Sequence, residues 1–227
     1  VPTAAEVVAN QIKQEIINGS LTNGSRLLPE RELAIQFGVG RSTIREAIQM
    51  LKMMGLVTVR GGAQGGAFIK NTNVSNLTKI IELMMELEVT CWKEVLQARR
   101  AVEPFANQLA AENRTQEDLE IIGQILLESK AAISDEAKFI SLNTMFHLRI
   151  AACSQNKILT SLCRAISGLI AKNGHELMRE KKIRELVYYD HLNIFMAIKE
   201  QDSSRAYSLA EEHLSHAEKA YLGKVEI

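Results

Sequence analysis

Apolar residues recur at helical spacing along most of the chain. Near the start, Val8, Ile12 and Ile16 fall four apart between residues 5 and 17, and Asn18 with Gly19 supplies a stop. A polar loop over 20–26 leads to Leu27, Leu28 and Pro29. Proline suits the first turn of a helix, where its missing N–H has no partner to lose. Glu30 and Glu32 follow where the helix dipole favours acids, Leu33, Ala34 and Phe37 form an inward stripe, and Gly38 ends the helix. A further helix is expected over 41–54, with Ile44, Ala47, Ile48 and Leu51 on one packing face. Two short helices around a glycine-containing turn outline a helix-turn-helix.

After Gly55 the period changes. Residues 56–60 read as a β-branched strand and 67–69 as a shorter one, with a glycine-rich turn over 61–66 between them. A hairpin directly after a helix-turn-helix is a wing, with Arg60 at its base. The same glycines do not make a nucleotide phosphate loop, because the terminal Gly-Lys-Ser/Thr is missing and no helix opens directly after them. The outward face of the 41–54 helix carries Ser42, Arg45, Gln49 and Lys52, with Arg41 at the tip. These are donors suited to phosphates and base edges.

Residues 71–76 are short and polar, and the domain boundary is expected there, with Asn76 capping the next helix. Beyond them the pattern is helical throughout, with helices near 77–88, 92–112, 116–133, 136–153, 157–178, 183–200 and 203–222. Thr115 and Asp118 have the spacing of a capping box. The expected fold is mainly α. Residues 1–70 form a winged helix-turn-helix with a small β-hairpin wing, 71–76 a linker, and 77–227 an all-helical bundle of six to seven helices.

Composition adds three constraints. Apolar residues make up 46%, enough for packed cores, yet no run approaches the ~20 residues that span a bilayer. The start of the chain lacks a basic segment followed by an apolar one, so no secretory signal is expected. Cys91, Cys153 and Cys163 are odd in number and scattered, which suits free thiols in a reducing cytoplasm. The net charge of zero is unevenly spread. Residues 1–70 carry Lys13, Arg26, Arg31, Arg41, Arg45, Lys52, Arg60 and Lys70 against Glu6, Glu15, Glu30, Glu32 and Glu46, so a basic unit is joined to a larger acidic one. That distribution fits nucleic-acid contact by the first unit.

The run from Leu28 to Ala34, that from Gly38 to Ala47, and Leu51 through Leu56 with the glycine turn closely resemble the winged-helix domain of the GntR transcription regulators. The resemblance implies DNA contacts by Arg31, Arg41, Ser42, Thr43, Arg45 and Gly62. One departure is Gly40, where the family usually has Ser or Thr; glycine can still cap a helix, but a side-chain contact is lost.

The second part resembles the FCD ligand-binding domain of the FadR subfamily. The carriers are residues 98–103 with Leu109 and Ala111, then 143–147 with Ala151, Ala152 and Asn156, then 198–213. The resemblance implies a divalent cation held by His147, His191 and His213, with Asn143 at the position usually occupied by Asp. Asn ligates through its carbonyl oxygen but brings no charge, and three neutral imidazoles suit Zn²⁺, or Ni²⁺, better than Mg²⁺ or Ca²⁺. Arg100 matches an arginine that faces the effector pocket, where its planar fork suits a carboxylate; the competing reading is an ion pair with Glu103 or another acid. Arg99 is expected at solvent or a dimer contact, and His175 and His216 on solvated faces.

The expected function is therefore a ligand-responsive transcription regulator, with repression as the expected direction. It would bind a palindromic operator as a homodimer in the cytoplasm and respond to a small organic or sugar acid. A fatty acyl-CoA effector without metal is the alternative. Three histidines with open positions also describe catalytic zinc, but no general base stands out at a suitable spacing, and an enzyme would leave the first domain unexplained.

Overall fold

Helix-stop and capping signals account for most of the element boundaries in the computed structural model, which describes residues 1–62, 65–70, 75–173 and 178–225. The chain divides into two compact units, Val1–Asn76 and Leu77–Ile227.

The first unit begins with α1 (Ala4–Ile17), opened by a capping box in which Thr3 and Glu6 bond each other's backbone N–H. Helix α2 (Glu30–Phe37) ends at Gly38, whose left-handed φ of 64° lets the chain turn at once into α3 (Arg41–Met53). Strands β1 (Val57–Arg60) and β2 (Gly66–Ile69) pair antiparallel, with Val57 opposite Ile69 and Arg60 opposite Gly66. Arg26 bridges to Phe68 on the far side of β2. The three helices and the hairpin enclose one core of Val8, Ile12, Leu27, Leu33, Ile44, Ile48, Leu51, Val57 and Ile69. Val57 and Ile69 share a face because residues directly opposite in an antiparallel pair point the same way, and that register brings both inward.

The second unit holds seven helices among the described residues: α4 (Ser75–Glu86), α5 (Trp92–Asn113), α6 (Gln116–Ala131), α7 (Glu136–Cys153), α8 (Lys157–Asn173), α9 (Lys181–Lys199) and α10 (Ser203–Val225). Helix α5 is the centre, packing against α7, α8, α9 and α10. The largest core, built on Phe139, Phe146, Ile150, Ile194 and Ile198, is completed by Leu119, Ile122 and Leu126 of α6. The capping box at Thr115 and Asp118 forms as expected, with Asp118 N–H donating to Thr115 Oγ1 at 3.1 Å and Thr115 N–H to Asp118 Oδ2 at 2.9 Å.

One capping expectation differs from the sequence reading. Helix α4 starts at Ser75, so Asn76 lies within it instead of capping it. Helix α8 is described only to Asn173, and residues 71–74 of the expected linker, the wing residues 63–64 and His175 lie outside the described residues. No described helix is long and apolar enough to cross a membrane.

Leu51 is fully enclosed while Met53, two residues on, is largely exposed. Leu51→Ala should therefore cost about 2–5 kcal/mol through lost burial and a residual cavity. Met53→Ala should stay within about 0.5 kcal/mol. Urea unfolding of the two variants checks this, and equal losses would mean that the face of α3 is misassigned.

Candidate functional site

The sequence-predicted contact residues of the first unit lie on α2, α3 and the turn after β1. Arg31, Arg41, Ser42 and Arg45 are exposed and Thr43 is half-buried. On α3, Arg41, Ser42 and Arg45 turn away from the buried Ile44, Ala47, Ile48 and Leu51, so the helical period separates a packing face from a polar one. Glu30 in the first turn of α2 organises the two arginines: Arg45 Nε donates to its Oε2 at 2.7 Å, and Arg41 Nη2 lies 3.8 Å away. An exposed pair of this kind is worth about 0–1 kcal/mol, enough to orient the side chains and too little to lock them. Gly40 caps α3 in extended conformation without a side-chain bond. Gly62 adopts φ 90°, a left-handed conformation that favours glycine at the wing turn.

The wing is braced by two residues that the sequence reading did not single out in this role. Arg60 stacks over Phe68 at 4.7 Å from its centroid, and Arg26 lies over the same ring at 5.9 Å. Arg26 also donates to the Gly65 carbonyl. A Cβ on Gly66 would come within 2.9 Å of the Arg26 guanidinium, so glycine makes room for that brace.

In the second unit, His147 of α7, His191 of α9 and His213 of α10 converge from three helices that are distant in sequence. One ring nitrogen from each lies within 4.8 Å of the others, and all three residues are buried. Phe146 stacks flat on His191, with centroids 3.9 Å apart and planes 13° from parallel, and so fixes that imidazole. Asn143, one helical turn before His147, is also buried. His191 Nε2 and Asn143 Oδ1 are enclosed without a hydrogen-bond partner. A buried polar atom left unsatisfied is costly, and a cation taken up by these atoms would remove the cost.

Carboxylates hold two of the rings from behind. Glu103 Oε2 lies 3.1 Å from His147 Nδ1, and Asp190 Oδ2 lies 3.1 Å from His213 Nδ1 and 3.4 Å from the half-exposed His216. A carboxylate on one ring nitrogen fixes the tautomer and makes the other nitrogen the more basic ligand. Burial lowers the His147 pKa to about 4, with the Arg99 charge adding to the fall and Glu103 opposing it. His191 is pushed well below the ordinary histidine value by burial first, then by His213, His147 and Arg99. Burial alone would raise the Glu103 carboxyl, but Arg99 and His147 outweigh it and hold it well below the usual carboxylate range.

The residues present therefore fit a divalent cation. Three imidazoles supply the nitrogens, two enclosed polar atoms have no hydrogen-bond partner, and carboxylates stand behind two rings. A tetrahedral ion with bonds of ~2.1 Å would need its ligand atoms roughly 3.4 Å apart, so the rings, whose nitrogens lie within 4.8 Å of one another, would have to draw closer to hold one.

Of the two arginines of α5, Arg99 departs from the place expected of it, and Arg100 makes the ion pairs of the competing reading. Arg99, expected at solvent, is 6% exposed: its Nε donates to Glu103 Oε1 at 2.8 Å and its Nη2 meets His147 Nε2 at 3.1 Å. It shares the inward stripe of Val95, Leu96, Glu103 and Ala106, whereas the next residue points about 100° away around the helix. Arg100 is not brought to the histidines. It donates from Nε to Glu211 at 3.2 Å and from Nη1 to Glu218 at 2.9 Å, both on α10.

A winged helix-turn-helix followed by an all-helical domain with a buried histidine site is the make-up of a bacterial transcription regulator. Residues 4–69 match the model of the bacterial regulatory proteins of the gntR family, and residues 94–216 match the FCD domain. The chain is 30% identical to the HTH-type transcriptional regulator LutR of Bacillus subtilis, over 93% of this chain and 98% of that one. It is also 30% identical to the Uxu operon transcriptional regulator of Escherichia coli, over 95% of this chain and 85% of the relative. Among solved structures, Streptococcus agalactiae GntR superposes with a TM-score of 0.69 over 95% of this chain and 99% of that one, at 23% identity, which establishes likeness of fold. The chain thus belongs to the GntR family of transcription regulators, in the branch that carries an FCD domain. These domains and relatives are those of regulators, not of enzymes.

The buried histidines set a pH dependence. Unfolded histidine titrates near 6.5, whereas folded His147 does so only near 4. Between those values the unfolded chain binds the proton and the folded one does not, so stability falls as the pH falls through that window. One pKa unit is about 1.4 kcal/mol, so the loss at His147 is on the order of 3 kcal/mol. Glu103, held low in the folded state, adds a loss of the same sign below its unfolded value of 4.5. Urea midpoints of chelator-treated protein should drop steeply from pH 7 to 5, and His147→Gln should flatten that slope; a flat wild-type profile would contradict the burial argument.

Proposed function

We propose that this chain is a cytoplasmic repressor that binds a palindromic operator as a homodimer and releases it in response to a small organic or sugar acid. Residues 1–70 serve as the DNA-binding domain, 71–76 as the joining segment, and 77–227 as the effector-binding and dimerisation domain. Arg31, Arg41, Ser42, Thr43, Arg45 and the Gly62 turn make the DNA contacts. Support for this part comes from their outward face on α2 and α3 and from the family match over residues 4–69. One relative, NanR of Klebsiella aerogenes, 29% identical over 92% of this chain and 82% of its own, bears the name of a transcriptional repressor, which supports the direction proposed here.

The effector reading rests on one observation, the convergence of His147, His191 and His213 within 4.8 Å. In this proposal they hold a divalent cation, Zn²⁺ in preference to Ni²⁺, with the Asn143 carbonyl oxygen as a fourth ligand. Such a cation supplies a Lewis-acidic centre for an anionic effector. With three neutral imidazoles and a neutral amide around it, the ion keeps its full positive charge, and a carboxylate is the natural complement. Asp190 and Glu103 orient the rings. Repression is relieved only to the extent that the acid binds the DNA-free arrangement more tightly than the DNA-bound one.

Arg45→Ala should abolish specific binding to the protein's own promoter region in gel shifts while leaving helicity unchanged by circular dichroism; retained specific binding would remove Arg45 from the contact set. Tag-free protein should carry near-stoichiometric zinc by ICP-MS. His191→Ala should lose that metal and blunt the response to carboxylates while keeping basal DNA binding. Trace metal in the wild type, or full metal in the variant, would sink the ligand assignment.

A further inference from the structure

The His147 imidazole has a single lone pair, and Arg99 occupies it. A guanidinium only donates, so the 3.1 Å contact from Arg99 Nη2 makes His147 Nε2 the acceptor. The ring proton therefore lies on Nδ1, which donates to Glu103 Oε2 at 3.1 Å. Glu103 closes the circuit by accepting Arg99 Nε on its other oxygen at 2.8 Å. With Nδ1 committed to Glu103, Nε2 is the atom that His147 has to offer alongside His191 and His213. The same lone pair cannot bond a guanidinium and a cation at once.

We propose that Arg99 and a divalent cation compete for His147 Nε2, so that cation binding frees Arg99 Nη2 to donate to an anion held beside the ion. The proposal rests on the reading of the three histidines as cation ligands. Glu103 keeps Arg99 in place through Nε, so the guanidinium is released at one nitrogen and does not leave the site. A dication and a guanidinium this close repel each other, and a carboxylate bonded to both removes the repulsion. Cation and carboxylate therefore bind cooperatively, each raising the other's affinity by the same factor. Arg99 thus acts as a cationic stand-in for the metal, and occupancy by the real ion is sensed through which partner its Nη2 keeps.

The test measures Zn²⁺ affinity of tag-free wild type and Arg99→Met by competition with a chromophoric chelator, with and without acetate, with His191→Ala as control. Without acetate, Arg99→Met should bind Zn²⁺ about tenfold more tightly, because a charged hydrogen bond no longer has to be broken. Acetate should tighten Zn²⁺ binding more in the wild type than in the variant, where the ion alone holds it. Equal or weaker Zn²⁺ binding by a folded Arg99→Met, or an acetate effect in it as large as in the wild type, overturns the competition. Because Arg99→Met leaves Glu103 buried without its arginine and can unfold the domain, a crystal structure of Zn²⁺-loaded wild type is the second measurement. Arg99 should remain on Glu103 with Nη2 withdrawn from His147 Nε2; an intact Arg99–His147 bond beside bound zinc overturns the proposal. Zinc that binds wild type and His191→Ala equally, or that binds neither wild type nor Arg99→Met, refutes the cation site itself, a failure distinct from the other two.

Discussion

The second unit is built around a charge that it cannot put in water. Arg99 and Glu103 sit on the inward stripe of α5, where Val95, Leu96, Ala106 and Ala110 otherwise fill the core. Taking a guanidinium and a carboxylate out of water costs several kcal/mol each, which their attraction recovers only with well-formed hydrogen bonds on both. The geometry meets that demand with two oxygens, two guanidinium nitrogens and one imidazole in a closed circuit. Hydrophobic residues at these positions would satisfy a purely structural core more simply. The circuit specifies a polar, directional interior instead, and α7 with its histidine has to lie against α5 in one register to complete it.

The first unit solves the opposite problem. Its core is wholly apolar and its polar chemistry lies outside, on a helix whose inward positions are all Ile, Ala or Leu. Folding and surface chemistry are therefore separable there: the outward side chains of α3 can change with little effect on packing. In the second unit the polar groups of the site are themselves core residues, so stability and chemistry are linked.

Much of this was legible in the sequence, and unevenly so. The wing, the turn at Gly38 and the box at Thr115 and Asp118 follow from local rules, because each depends on residues within a few positions of one another. The meeting of His147, His191 and His213 does not. Rings on three different helices are brought together by packing that no spacing encodes, and the resemblance to a known domain, not periodicity, suggested them. Arg99 is the instructive case. Its place four residues after Val95 and four before Glu103 put it on the inward stripe, but a charge on such a stripe reads as misphased until its partners are known. Asp190 left even less trace: an acid next to a histidine is common, and its role at His213 depends on how α9 meets α10.

Phe146 belongs to two structures at once. It is among the largest enclosed side chains of the core, and its ring is the surface on which His191 lies. A smaller residue there would loosen the core and let the imidazole turn in the same stroke. The middle of the site is thus closed to gradual change, since any substitution that retunes it also threatens the fold. Diversification of what such a domain recognises has to come from its rim, where a side chain can be exchanged without disturbing the stack beneath it.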